Sequence, residues 1–202
     1  SEYCDRVYKW NRPFREESDT KILVIGNSFG RDWANILSEY DPDMDISFLY
    51  YSESALTENA DRIAEADYVF YALGLAYGAV PDPVAETVDA EKLYIISNKN
   101  YGASNGIVYA RRGSEDYYSQ SVEFLPALEE DIAANQSVWG DHYVDMMQPV
   151  LTDDHRVRVF TDDQKLISQD CRHLTKAGAK YYARILDLER FFGSGETIKT
   201  VD

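Results

Sequence analysis

The stretch Lys21-Ile22-Leu23-Val24-Ile25-Gly26-Asn27-Ser28-Phe29-Gly30 constrains this chain more than any other. It opens as a continuous apolar run without alternation, the pattern of a strand buried on both faces of a parallel sheet. The period then changes. Phe29, Trp33, Ile36, Leu37 and Tyr40 recur at helical spacing with Arg31, Asp32, Asn35 and Glu39 between them, which predicts a helix beginning within a residue or two of Ser28. Ser28 therefore falls at the carboxyl end of a buried strand, where open α/β sheets place their ligands, and beside the free N–H groups and positive dipole end of the helix. Two roles fit a serine there: a helix cap, which is the commoner use, and a nucleophile.

The remaining chain alternates in the same way. Residues 46–51, 68–73, 92–96 and 142–146 are apolar or β-rich runs, separated by helical patterns over 56–66, 84–90 and 122–135. A small extra strand is expected over 157–160. A last helix follows Thr175, its candidate cap, with Tyr181, Tyr182, Ile185, Leu186 and Leu188 on its apolar side. Strand and helix in alternation predict an α/β fold built on a doubly wound, mainly parallel sheet of five strands. The charged, aromatic residues 1–19 are expected to form an arm or linker, 20–192 the domain and 193–202 a tail. The irregular segment 97–121 follows a strand end, so its Asn98, Asn100, Asn105, Arg111 and Arg112 are expected to overhang the edge that carries Ser28.

Charge excludes some functions. Lys and Arg number 20 against 36 Asp and Glu, a net charge of −16, which argues against nucleic acid and against an anionic membrane surface as partners. Strongly anionic substrates would need a local basic pocket. No run approaches the ~20 apolar residues of a membrane span, and no signal-peptide pattern occurs, so a soluble domain of a larger protein is one expectation. Cys4 and Cys171 form no close ligand pair. In an oxidising compartment they are candidates to bridge, and otherwise they are simple thiols. No phosphate-cradling loop and no Gly-x-Gly-x-x-Gly occurs, and Asp153, Asp154, His155, Asp162 and Asp163 lack a fixed ligand spacing, so neither cofactor nor metal is expected.

The second informative stretch is Ser168-Gln169-Asp170-Cys171-Arg172-His173-Leu174-Thr175-Lys176-Ala177-Gly178-Ala179. In a turn, the three-residue spacing lets the Asp170 carboxylate reach the His173 Nδ1, fixing the tautomer and leaving Nε2 to take a proton from a serine. His142 and His155 lack such a context, and structural or surface roles are expected for both.

At Gly26-Asn27-Ser28 and Asp170-Cys171-Arg172-His173 the chain resembles the SGNH, or GDSL-like, hydrolase family. The resemblance implies Ser28 as nucleophile, His173 as general acid/base and Asp170 as its orienter. It also implies a three-layer α/β/α sandwich with a flavodoxin-like sheet over residues 20–192. Asn27 stands where that family has Asp, at a position outside the chemistry. The family's oxyanion donors include a Gly after the second strand and an Asn in a Gly-x-Asn turn after the third. Here those places hold Ser52-Glu53-Ser54-Ala55 and Gly74-Leu75-Ala76, so the backbone near Ser28 and Ser54, together with Gly74, Asn98 and Asn100, are the candidate donors.

The resemblance points to an esterase, deacetylase or O-acyltransferase acting on an acyl ester, acetyl above all, of a carbohydrate or similar small molecule. It favours an extracytoplasmic setting. A glycan-binding domain that kept the fold and lost turnover is the alternative. A flavodoxin-like flavin or nucleotide binder shares the architecture but leaves Ser28, Asp170 and His173 unexplained.

Overall fold

A computed structural model describes residues 1–74, 77–104, 106 and 111–193. Its strands are β1 (Lys21–Gly26), β2 (Asp45–Tyr50), β3 (Tyr68–Ala72), β4 (Leu93–Ile96), β5 (Ser121–Val122), β6 (Tyr143–Val144) and β7 (Val157–Arg158). Its helices are α1 (Glu2–Asp5), α2 (Ser28–Tyr40), α3 (Glu53–Glu58), α4 (Ala60–Glu65), α5 (Asp82–Thr87), α6 (Pro126–Trp139), α7 (Lys176–Ile185) and α8 (Glu189–Phe192). Five strands form one all-parallel sheet in the order β2-β1-β3-β4-β6. Helices flank it as a three-layer α/β/α sandwich, as expected. The order reverses between β1 and β3, so a crevice opens there above the strands' carboxyl ends, the usual ligand position in such sheets.

The apolar run of β1 explains its central place: Ile22, Leu23, Val24 and Ile25 are all fully buried between two neighbouring strands and the helices above and below. α2 packs against α7, which brings the first helix after β1 beside the last long helix of the chain. Trp33 of α2 lies 5.3 Å from Phe70 of β3. Phe191 and Phe192 of α8 close the same sheet over Tyr68, Phe70 and Tyr94, and the Tyr68 hydroxyl donates to the Phe191 carbonyl at 3.0 Å. The N-terminal residues lie on α2: Val7 is buried, the Tyr3 hydroxyl donates to Glu39 at 2.7 Å, and Arg6 Nε donates to Asn35 at 2.9 Å.

Four local expectations change. The helix predicted over 56–66 is two short helices that meet at Asn59, whose side-chain amide donates to the Ala55 carbonyl at 2.8 Å and competes with helical continuation. The helix predicted over 122–135 starts later, at Pro126, where the missing N–H suits a first turn; Val122 instead joins β5, antiparallel to β7. The fifth parallel strand shrinks to Tyr143–Val144 because Gly140–His142 makes a 3-10 turn. The small strand expected over 157–160 is Val157–Arg158. Ala76 and Asn105, and the expected tail beyond Gly193, lie outside the described residues. Cys4 and Cys171 are free thiols. Among the described residues no helix is long and apolar enough to cross a membrane.

Candidate active site

The turn from β1 into α2 is fixed by its backbone. A Cβ on Gly26 would sit 1.9 Å from the Ala72 carbonyl oxygen, so only glycine lets the ends of β1 and β3 approach this closely. Asn27 then caps α2: its Oδ1 accepts from the Phe29 N–H at 3.0 Å and from the Gly74 N–H at 3.3 Å. One side chain thus ends the first strand, starts the helix and ties down the loop after β3. Because Asn27 does the capping, the Ser28 hydroxyl is released from that role. Its Oγ lies 2.8 Å from His173 Nε2.

His173 comes from a turn built by Asp170. The Asp170 Oδ1 accepts from the backbone N–H of Arg172 at 3.0 Å and of His173 at 2.8 Å, and from the Ser168 hydroxyl at 3.3 Å. Its Oδ2 faces His173 Nδ1 at 2.6 Å. An ionised carboxylate only accepts, so the proton of the imidazole belongs on Nδ1 and the lone pair on Nε2 faces Ser28. Partial burial pushes the Asp170 carboxyl up, but the hydrogen bonds from His173 and Arg172 outweigh it and hold the group well below the usual carboxylate range. Thr175 caps α7 immediately after this turn, accepting from the Gly178 N–H at 2.9 Å.

The start of α2 places backbone amides beside Ser28. The first amides of a helix have no intrahelical acceptor. The Phe29 amide is taken by Asn27, and the amide of Ser28, the first residue of α2, lies at the positive end of the helix dipole. Next to them is a cavity of 290 Å³ lined by Phe29, Gly74, Asn98, Asn100 and Arg172, with Tyr77 and Lys99 completing the wall. The Asn100 Oδ1 accepts from the Gly102 N–H at 2.9 Å, so its amide nitrogen is the donor left for a ligand. Gly74, Asn98 and Asn100 share this cavity with Phe29, the residue after Ser28; Ser28 and His173 are not among its lining residues. Ser54 is not among the residues lining this cavity. It sits in the first turn of α3, its hydroxyl 3.2 Å from that of Ser52, because β2 lies on the far side of β1 from β3 and β4.

Two buried charges at the site carry no sequence signal of their own. Asp32 and Lys99 are each almost fully buried, and the Lys99 Nζ lies 2.8 Å from Asp32 Oδ2 as an ion pair rather than an aligned hydrogen bond. The ammonium also rests 3.6 Å above the centre of the Phe29 ring. Burial pushes Lys99 down from the usual lysine range, and the Asp32 carboxylate opposes that fall. Asp32 Oδ2 accepts from the Leu174 N–H at 3.0 Å, and Oδ1 faces the Arg31 guanidinium at 3.3 Å. On helical spacing alone, Asp32 belongs to a solvated face; in the fold the 170–174 turn and the Lys99 segment both meet its carboxylate.

The other candidates lie apart from the site. His142 Nδ1 is 2.8 Å from the Leu93 carbonyl and the ring stacks on Tyr94, while His155 pairs with Glu129. Asp162 pairs with Arg184 and Arg111 with Asp116. Among the described residues no three His, Cys, Asp or Glu side chains converge to hold a metal ion. No family model matches the chain, and no curated protein matches its sequence.

Proposed function

We propose that this protein is a serine-dependent esterase or O-acyltransferase acting on an acyl ester, acetyl above all, of a carbohydrate or similar small molecule. The observation that carries this is the continuous hydrogen-bonded series from Ser28 Oγ through His173 to Asp170. A hydroxyl with an imidazole at 2.8 Å, itself held in one tautomer by a carboxylate, is the arrangement that nucleophilic acyl transfer requires. Ser28 Oγ attacks the ester carbonyl as its proton passes to His173 Nε2. The imidazolium that forms is stabilised by Asp170, and the developing oxyanion meets the amides at the start of α2. His173 then returns the proton to the leaving alkoxide as the carbonyl–oxygen bond breaks. Water, or a sugar hydroxyl in its place, attacks the acyl-serine with His173 as base, and Ser28 regains its proton.

The cavity of 290 Å³ that begins at Phe29, the residue after Ser28, has room for a small acyl group or part of its acceptor. The test is intact-protein and peptide mass spectrometry after treatment with a fluorophosphonate. The expected result is one adduct on Ser28, absent in Ser28→Ala and in His173→Ala. A folded protein that takes no adduct would overturn the proposal and leave a binding domain as the better account.

A further inference from the structure

We propose that the buried Asp32–Lys99 pair is a positioning device that sets His173 against Ser28. This rests on the serine-nucleophile reading for its consequence, though not for its geometry. Asp32 lies one turn beyond Ser28 on α2, so the two side chains share a face of the helix. The residue after His173 is Leu174, and its N–H donates to Asp32 Oδ2. One helix therefore carries both the nucleophile and the anchor for the peptide of its base. A change in the tilt of α2 moves both together, and the 2.8 Å separation of Ser28 and His173 is preserved.

Lys99 enters from the segment after β4 and meets the same carboxylate oxygen. Its ammonium also covers the Phe29 ring, whose plane stands edge-on to the His173 imidazole at 5.8 Å. Three segments distant in sequence thus converge on one carboxylate. The other charges facing the pair are Arg31, which shares Asp32 and also pairs with Asp5, and Asp170.

A purely structural buried pair is replaceable by apolar side chains of similar volume, often without loss of stability. Here that replacement would orphan the Leu174 amide inside the protein. The carboxylate is needed as an acceptor for that amide, and Lys99, with Arg31, gives the buried carboxylate its opposite charge.

Two double variants separate these roles: both lack the ion pairs of Asp32 with Lys99 and Arg31, and they differ in whether a side-chain oxygen is left for Leu174. Asp32→Asn/Lys99→Met keeps an amide oxygen for Leu174, and Asp32→Leu/Lys99→Met removes it. The fluorophosphonate labelling rate is measured on folded protein, together with the downfield NMR resonance of the His173 Nδ1 proton. The first variant is expected to label within about tenfold of the parent and to keep the resonance. The second is expected to fall by about a hundredfold, as a displacement of about 1 Å does, with the resonance shifted or broadened. Equal rates and equal resonances in the two double variants would overturn the proposal.

Lys99→Met alone should label more slowly than Asp32→Asn/Lys99→Met, or fail to fold where the double variant folds. A rate equal to or above the double variant's would remove Lys99 from the device. Should the parent itself take no label, the nucleophile assignment falls, and the His173 resonance still decides the positioning role.

Discussion

Asp170→Asn tests the site most sharply because the substitution is nearly isosteric and its geometry is forced. Oδ1 of Asp170 faces two backbone N–H donors, at 2.8 and 3.0 Å, and the Ser168 hydroxyl. An asparagine must turn its oxygen toward those donors, since its NH2 group there would oppose two N–H groups. The NH2 then takes the place of Oδ2, 2.6 Å from His173 Nδ1. Nδ1 must accept, the imidazole proton moves to Nε2, and the atom facing Ser28 is no longer a base.

In a serine protease with a buried aspartate, the same change costs about 10⁴ in turnover. The Asp170 side chain is 54% exposed, so water competes for the new hydrogen bond and a smaller loss is expected, about 10³. That loss corresponds to about 4 kcal/mol in the barrier. The fold should change little: one charge-assisted acceptor becomes a neutral one, a loss of about 1 kcal/mol, and Tm falls by about 2–4 °C. The assay is the second-order rate of fluorophosphonate labelling by intact mass, with Tm measured in parallel. A rate within tenfold of the parent in a folded variant would refute the tautomer account.

Gly26→Ala places a methyl 1.9 Å from the Ala72 oxygen, and backbone cannot yield as a side chain can. A loss of about 3 kcal/mol or more is expected, read from the urea midpoint; an unchanged midpoint would contradict the close approach of β1 and β3. Tyr182→Phe removes the hydroxyl that joins the Tyr101 hydroxyl to the Met146 carbonyl, each at 2.6 Å in the buried interior. Leaving both unsatisfied should destabilise by about 1–3 kcal/mol in the same assay. The Asp170 carboxyl titrates lower in the folded protein than in the unfolded chain, so its contribution to stability is present above the unfolded value of about 3.9. That contribution is lost as pH falls toward the depressed folded value. The stability difference between parent and Asp170→Asn should therefore shrink as pH falls below about 4; a difference that grows between about pH 4 and about pH 2 would contradict the sign.

Much of the fold could be read from local pattern because β1 is apolar without alternation and the elements after it change period cleanly. The proximity of Ser28, Asp170 and His173 was legible for a different reason: the Asp170 turn is built within four residues, and the end of β1 has one position in such a sheet. What escaped is tertiary. Asp32 looks like a polar-face residue until the 170–174 turn covers it, and Lys99 looks like a loop lysine until Phe29 and Asp32 enclose it. Ser54 follows β2 in α3, while the cavity beside Phe29 is lined from the segments after β3 and β4. The bond of Asn27 to the Gly74 amide, which joins the turn after β1 to the loop after β3, depends on the register of those two strands and has no local sequence signal.

Ser28 and His173 are 145 residues apart in the chain, and only the docking of α7 and its preceding turn onto α2 joins them. If Ser28 is the nucleophile proposed above, it stays inert during synthesis until the turn that carries His173 has also left the ribosome. A protease cut anywhere between the two would leave each fragment with half of the chemistry. Brief detachment of the last helix would likewise silence the serine while the sheet stays folded, since such local openings need less free energy than global unfolding. On the proposed function, the labelling of Ser28 would therefore report whether the segment from Asp170 through α7 is docked on α2.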